Sequence, residues 1–186
     1  MKIEDNFLEQ KIFDELQAHM MGNNFDWYYN DGIDYEYEGL VSKDPLNNNN
    51  LMFFHIFYYF HRPQSPHFQN IDNILNKLLP ISIWRIKANL FVGSSNIIKN
   101  AFHVDMDDVP EEKLKQWTTS IFYVNTNNGH TEFEDGTKVE SVANRLVTFP
   151  SNLKHRGTSC TDEKTRIVIN FNYFKNSTFW QYRKGK

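Results

Sequence analysis

Residues 102–105 read Phe-His-Val-Asp and place a histidine and an aspartate two positions apart. In a β-strand, residues i and i+2 point to the same face and lie about 6.6–7 Å apart along the chain. His103 and Asp105 can therefore approach one ion together while Val104 points the other way. Because isolated His-x-Asp pairs also arise by chance, this spacing indicates a metal site only if a third ligand lies nearby.

His155 is the natural third ligand, because it lies near the start of a later predicted strand, after Pro150. Two histidines and one carboxylate on one face of an octahedron form the triad of non-haem Fe(II) oxygenases, which leaves three positions open. The single cysteine, Cys160, excludes an internal disulfide and a zinc site built from several thiolates. We therefore expect a metal site at His103, Asp105 and His155.

Arg166 lies in the predicted strand that follows this histidine, on the same face as Val168 and Asn170. The other face of the strand is apolar. A cation on the inward face of a buried strand is costly without a partner. A bound carboxylate would be such a partner, with bidentate geometry available to the guanidinium. The alternative is an ion pair between Arg166 and an internal Asp or Glu.

From residue 81 onward, short apolar and β-branched runs alternate with turn clusters, among them Gly93-Ser94-Ser95-Asn96 and Asp135-Gly136. About eight closely spaced strands favour an antiparallel sandwich or barrel. The predicted strands are 81–92, 98–105, 117–125, 130–134, 137–143, 145–149, 155–160 and 165–174, and 51–60 could form a further buried strand.

Two stretches before residue 81 follow the helical period: residues 3–20, which end before Gly22, and residues 68–79, which end before Pro80. Helices first and strands second is the α+β pattern, with the N-terminal helices packed on one sheet of a mostly β core. We predict a single domain, 1–186. Its parts are a helical and irregular N-terminal support at 1–80, a strand-rich core at 81–175 and a tail at 176–186.

Composition narrows the functional classes. The chain has 186 residues, a formal net charge of −3 and 16% aromatic residues. The aromatic content excludes a disordered chain. The negative net charge disfavours nucleic acid as a partner. The N-terminus is charged and amphipathic, unlike a signal peptide, and the longest apolar run, 51–60, is interrupted by His55 and too short to cross a bilayer. We expect a soluble cytoplasmic protein with no membrane partner.

From Ile81 to Phe174 the sequence resembles the 2-oxoglutarate- and Fe(II)-dependent dioxygenases. The resemblance is strongest to their prolyl-hydroxylase-like branch, which includes small proteins of phages and marine bacteria. The N-terminal half resembles the family only loosely. No single matching piece is specific, but together they occur in family order at family-like intervals. The pieces are Phe102–Asp105, Ile121–Asn125, Gly129–Phe133, Asn144–Pro150, His155–Gly157 and the closing strand with Arg166.

The resemblance implies a double-stranded β-helix, or jelly roll, with iron held by His103, Asp105 and His155. It also implies that Arg166 binds the distal carboxylate of 2-oxoglutarate, helped by the hydroxyl of Tyr123. Asn89 and Asn170 are further candidates for cosubstrate contacts. The interval from His155 to Arg166 is slightly longer than the commonest family spacing. Lys164 therefore competes with Arg166, which we favour because residues 162–164 have the composition of an exposed turn.

The implied cofactors are Fe(II), the small-molecule cosubstrate 2-oxoglutarate and O2, with ascorbate as a further one that the resemblance admits. The implied activity is a hydroxylation that releases succinate and CO2, on an unknown peptide or metabolite. Peptidyl proline is favoured by resemblance alone. If the protein is encoded by a phage, its compartment would be the host cytoplasm.

The sequence is also compatible with two rival functions. A cupin-like metal-binding jelly roll would use more histidine ligands and would not need an inward Arg166. A non-enzymatic binding module of phage type would give His103, Asp105 and His155 no reason to converge.

Overall fold

A computed structural model describes residues 1–30 and 52–175 of the chain. Its helices are α1 (Gln10–Met21), α2 (Asp72–Leu78) and α3 (Glu111–Leu114), with a 3-10 helix at Phe68–Ile71. Its strands are β1 (Lys2–Glu4), β2 (Tyr28–Asn30), β3 (Met52–Tyr59), β4 (Arg62–Pro63), β5 (Ser82–Val92), β6 (Trp117–Tyr123), β7 (His130–Phe133), β8 (Lys138–Glu140), β9 (Arg145–Pro150), β10 (His155–Gly157) and β11 (Thr165–Phe174).

The strands form two antiparallel sheets. The large sheet has the order β1-β9-β6-β11-β5-β3-β2, with β4 paired to β3, and the small sheet has the order β10-β7-β8. The long central strand β11 pairs with β5 on one side and β6 on the other. This arrangement confirms the predicted fold, a mostly β jelly roll with a few helices.

The helices cover the outer face of the large sheet. Phe13 and Leu16 of α1 and Ile74 of α2 belong to one buried cluster with Phe122 and Ile169 of the sheet. Burial of such side chains stabilises the contact by about 1.5–3 kcal/mol each. The prediction that the N-terminal helices pack on one sheet is therefore confirmed.

A second buried cluster fills the space between the two sheets. Ile121, Val147 and Val168 of the large sheet meet Phe133 and Val139 of the small sheet there. Strand β11 divides between the clusters, since Ile167, Ile169, Phe171 and Tyr173 belong to the outer cluster and Val168 to the inner one. The predicted alternation along this strand is confirmed, and it turns the side chains of even number, including Arg166, toward the inner space.

The first predicted helix starts later than the sequence pattern indicated. Residues 2–4 form β1 and pair with β9, and α1 begins only at Gln10. Between them, Phe7 donates its backbone N–H to the Asn144 carbonyl, and Leu8 exchanges hydrogen bonds with the Asn144 side chain. These long-range bonds hold an extended segment whose buried Phe7 and Leu8 mimic a helical spacing in the sequence.

The predicted strand 98–105 is also wrong. This segment pairs in two isolated bridges, His103 with His155 of β10 and Lys99 with Thr158 just after β10. Because β10 has only three residues, it cannot support an eight-residue ladder. The i, i+2 argument for His103 and Asp105 thus does not rest on a regular strand.

The large sheet crosses the proposed boundary at residue 81, since it includes strands from 2–4, 28–30 and 52–59. The division into support, core and tail stays a prediction, and the tail at 176–186 lies outside the described residues. Residues 31–51 also lie outside the described residues. No helix within residues 1–30 and 52–175 has the length and apolarity that a membrane span requires.

Candidate functional site

A cavity of about 360 Å³ opens between the two sheets. Strands β5 and β11 form one wall, and the segment 100–105 with His155 of β10 forms the other. Cavities of roughly 300–1,000 Å³ are typical of small-molecule sites. The polar side chains described below therefore converge on a space that can hold a small ligand.

His103, Asp105 and His155 meet at one end of this cavity. One ligand atom from each lies within 4.8 Å of the others. The Asp105 oxygens are 3.9 Å from Nε2 of His103 and 4.0 Å from Nε2 of His155. The structure brings together the three residues that the sequence grouped, and such a set can hold one divalent metal ion.

Both histidine rings are oriented by backbone carbonyls. Nδ1 of His103 donates to the Ala101 carbonyl at 3.2 Å, and Nδ1 of His155 donates to the Leu153 carbonyl at 3.1 Å. This leaves each Nε2 with a lone pair, as metal-binding histidines require. Nε2 of His155 is buried without a hydrogen-bond partner in the described chain, so it has an unmet need that a metal ion would satisfy.

The charge states of the cluster suit a metal. Burial raises the pKa of Asp105, but the charges of His155, Arg85 and His103 and a hydrogen bond from Asn172 outweigh it, so that the pKa lies at about 2. Burial lowers the pKa of His155. A carboxylate and a neutral imidazole are the forms in which these side chains bind metals.

Arg166 lies at the other end of the cavity and is 1% exposed. Its Nε donates to the Ser141 hydroxyl at 2.7 Å and its Nη2 to the Thr131 hydroxyl at 3.2 Å, while Nη1 has no hydrogen-bond partner among the described residues. In the described residues no carboxylate forms an ion pair with it, and burial lowers its pKa. The alternative of an internal Asp or Glu partner therefore finds no support there.

Two glycines make room for this side chain. A Cβ on Gly129 would lie 2.6 Å from Cδ of Arg166 and 2.7 Å from the Ser159 carbonyl oxygen, and a Cβ on Gly157 would lie 3.4 Å from Nη1. Any larger residue at 129 would have to displace the arginine or the backbone. The absence of a side chain at these two glycines thus leaves the space that the guanidinium occupies.

Tyr123 is fully buried and does not line the cavity itself. Its hydroxyl donates to Thr131 Oγ1 at 2.9 Å, the same atom that accepts from Arg166. Thr131 does line the cavity and therefore stands between Tyr123 and any ligand. Sequence reasoning missed this threonine, although it lies within Gly129–Phe133, one of the pieces that carry the family resemblance.

Asn89 and Asn170 line the cavity between its two ends. The side-chain oxygen of each is buried without a hydrogen-bond partner in the described chain. In the β5–β11 register, Asn89 lies opposite Val168, and Asn170 lies opposite Lys87. Both asparagines can offer polar contacts to a ligand that spans the cavity.

Lys164, the competitor of Arg166, is exposed and precedes β11. It does not line the cavity, and its carbonyl accepts a hydrogen bond from the Gly93 backbone. Of the two candidate cations, only Arg166 reaches the enclosed space.

Sequence reasoning also missed the surroundings of Asp105. Arg85 of β5 donates to the Asp105 backbone carbonyl at 3.1 Å and approaches Oδ1 at 3.4 Å. Asn172 of β11 donates to Oδ2 at 2.8 Å. The signal was available, because Asn172 continues the alternation of Arg166 and Asn170, and Arg85 continues that of Asn89.

Three other histidines cluster around Phe25, apart from the cavity. Nε2 of His19 lies 3.1 Å from Nδ1 of His67, and His55 bonds to the Asp26 carbonyl and the Ser65 hydroxyl. The imidazoles thus have local partners, as expected for histidines outside the metal site.

Comparison with known proteins adds the fold family. No protein-family model matches the sequence, and no curated protein sequence matches it. Solved structures do match. The chain has the fold of the 2-oxoglutarate/Fe(II) oxygenases.

One similar structure is a prolyl hydroxylase from Trichoplax adhaerens, in complex with a peptide fragment of the hypoxia inducible factor oxygen degradation domain. The match has 14% identity, covers 93% of this chain and 82% of that one, and has a TM-score of 0.60. Another is a viral collagen prolyl hydroxylase from Paramecium Bursaria Chlorella virus-1, with 14% identity, 94% and 90% coverage and a TM-score of 0.54. A third is HygX from Streptomyces hygroscopicus with nickel and 2-oxoglutarate bound, with 7% identity, 94% and 82% coverage and a TM-score of 0.59.

Proposed function

We propose that this protein is a 2-oxoglutarate- and Fe(II)-dependent oxygenase. The observation that supports the proposal is the set of side chains that line one cavity. A cluster of two histidines and an aspartate lies at one end, and the buried cation Arg166, whose Nη1 has no hydrogen-bond partner in the described part of the chain, lies at the other. A five-carbon diacid with a metal-chelating end is the ligand that both ends would recognise. The similar folds support the same conclusion.

In this proposal His103, Asp105 and His155 hold the iron. The residues fit the ion, because the set offers two imidazole nitrogens and one carboxylate oxygen and leaves the cavity side open. Fe(II), O2 and 2-oxoglutarate would together supply the chemistry that hydroxylates a C–H bond and yields succinate and CO2. The protein itself needs no acid or base for this, and its part is to bind, orient and exclude water.

Arg166 would bind the distal carboxylate of 2-oxoglutarate through the N–H of Nη1. Its fork geometry suits a carboxylate, and it stays charged on burial, which a lysine need not do. Thr131 would offer its hydroxyl beside the arginine, with Tyr123 holding that hydroxyl from behind. Asn89 and Asn170 would contact the middle of the cosubstrate. Ascorbate has no site that we assign.

For the substrate we propose a peptidyl proline, on the strength of the sequence resemblance. The names of similar structures agree, since they include a prolyl hydroxylase with a bound peptide fragment and a collagen prolyl hydroxylase. A cavity of about 360 Å³ that also holds a cosubstrate has room for a small part of a substrate only. A single side chain of a peptide satisfies that limit.

The test is release of succinate from 2-oxoglutarate with Fe(II), measured with and without proline-containing peptides. We expect release to need both Fe(II) and 2-oxoglutarate and to rise with a peptide that becomes hydroxylated, and Asp105→Ala to abolish it. Metal binding without 2-oxoglutarate turnover in any condition would favour the cupin-like rival. Absence of metal binding would favour the non-enzymatic module. Turnover stimulated only by non-peptide metabolites would reject the peptidyl substrate and keep the oxygenase.

A further inference from the structure

Asp105 accepts hydrogen bonds from two residues that are paired on neighbouring strands of the large sheet. Asn172 of β11 and Arg85 of β5 are direct partners in the antiparallel register, and side chains of such pairs lie about 4.5–5.5 Å apart at Cβ. Both donate to Asp105, Asn172 to Oδ2 and Arg85 to the backbone carbonyl, with a longer approach to Oδ1. We call these two residues the Asp105 clamp.

The two carboxylate oxygens are therefore not equivalent. Oδ2 accepts a short hydrogen bond of 2.8 Å from Asn172, while Arg85 approaches Oδ1 at the longer distance of 3.4 Å. A carboxylate can only accept, so the amide of Asn172 must turn its nitrogen toward Asp105. Each oxygen also approaches one histidine, Oδ1 at 3.9 Å from Nε2 of His103 and Oδ2 at 4.0 Å from Nε2 of His155.

The orientation of Asn172 is itself fixed by a buried chain of hydrogen bonds. Its Nδ2 also donates to Thr119 Oγ1 at 3.2 Å, and Thr119 shares a 2.9 Å hydrogen bond with Ser151. Asn172, Thr119 and Ser151 are 0%, 0% and 1% exposed. Because all three side chains are buried from bulk water, this chain of hydrogen bonds favours one orientation of the Asn172 amide toward Asp105.

We propose that Asn172 and Arg85 are positioning residues that fix the rotation of the Asp105 carboxylate in the orientation that the metal requires. This inference rests on the proposed metal site. Partners of this kind set the orientation of a metal ligand, and their loss typically costs about 10–100-fold in metal affinity. Without Asn172 the carboxylate can rotate away from this orientation.

The experiment compares four variants of the full chain, one of them Arg85→Leu, with the wild type. Asn172→Leu removes the amide at similar size, and Thr119→Val removes only the hydroxyl that holds the amide. Ser120→Ala is the matched control. Ser120 neighbours Thr119 on β6 and is equally buried, but its hydroxyl bonds to Thr148 and Tyr173, away from the cavity.

Titration calorimetry with Mn(II) measures affinity, the visible spectrum of bound Co(II) measures coordination, and thermal melting of metal-free protein measures folding. We expect Asn172→Leu to weaken Mn(II) about 10–100-fold and to change the Co(II) spectrum. Thr119→Val should do both to a smaller extent, and Ser120→Ala should do neither. Arg85→Leu should weaken Mn(II) less than Asn172→Leu, because its approach to Oδ1 is longer.

Wild-type affinity and an unchanged Co(II) spectrum in both Asn172→Leu and Thr119→Val would overturn the inference and leave the metal site standing. Lower melting temperatures with unchanged metal affinity would also overturn it, because they indicate a structural role only. If Asn172→Leu does not fold, Thr119→Val decides alone. A wild type that binds no Mn(II) would overturn the proposed metal site and this inference together.

Discussion

Replacing Arg166 by methionine should make the ligand-free protein more stable and should nearly abolish its use of 2-oxoglutarate. The side chain is 1% exposed, and the described residues supply neither a hydrogen-bond partner to its Nη1 nor a carboxylate to the guanidinium. Its remaining contacts are two hydroxyls and the rings of Phe91 and Tyr123 at 5.5 and 5.7 Å. A buried cation in such surroundings costs free energy of folding that an apolar side chain of similar size does not.

The magnitudes follow from those contacts. Replacing buried ionic groups by packed apolar side chains stabilises proteins by about 1–4 kcal/mol in favourable cases. For a chain of this size each kcal/mol raises the melting temperature by roughly 2–4 °C. Losing one partner of a buried charge pair costs about 2–5 kcal/mol of binding, which is roughly 30- to 5,000-fold in the dissociation constant of 2-oxoglutarate.

The assay is thermal melting and calorimetric titration of 2-oxoglutarate in the presence of Mn(II), which replaces Fe(II) without oxidation. Lys164→Met is the control, because Lys164 is exposed and does not line the cavity. It should leave both quantities unchanged. Unaltered 2-oxoglutarate affinity in Arg166→Met, or a loss confined to Lys164→Met, would refute the assignment of the anchor.

Three further predictions concern the rest of the site and the fold. Asp105→Ala should weaken Mn(II) binding in calorimetry by more than the roughly 10–100-fold expected for an outer partner, and equal affinity would contradict the triad. Gly129→Ala should cost about 1–3 kcal/mol in urea unfolding and weaken 2-oxoglutarate, because the added Cβ meets Arg166 at 2.6 Å. Gly157→Ala, at 3.4 Å, should cost less, and the reverse order would contradict the packing. Burial lowers the pKa of four histidines, His19, His55, His130 and His155. The unfolded chain therefore binds more protons below its histidine pKa of about 6.5, so the unfolding free energy of the metal-free protein should fall between pH 7 and 5, and a flat profile would contradict this.

The parts of the fold that the sequence predicted are those governed by local alternation. Strand β11 shows this best, since its period of two is enough to separate Ile167 and Ile169 from Arg166 and Asn170. Both faces of that strand are buried, but only one is apolar. A polar residue in such a strand indicates a site, and the same reasoning extended by one step would have included Asn172.

The parts that the sequence did not predict depend on partners far away along the chain. Residues 2–8 resemble the start of a helix, and only the hydrogen bonds of Asn144 and the pairing of β1 with β9 make them extended. Segment 98–105 has strand-like composition, but the shortness of β10 limits it to two bridges. Its His103 and Asp105 still converge because β5 and β11 hold Asp105 from the opposite sheet.

The outer and inner faces of the large sheet contribute differently, the outer one to stability and the inner one to ligand binding. On the outer face, α1 and α2 cover apolar side chains, and burial there needs no ligand. On the inner face, buried atoms without partners in the described chain include Nε2 of His155, Nη1 of Arg166 and the side-chain oxygens of Asn89 and Asn170, all of which line one cavity. Each unmet hydrogen bond of this kind costs about 1–3 kcal/mol. The outer cluster must offset that cost in the ligand-free state, and a ligand that satisfies these atoms regains it as binding free energy.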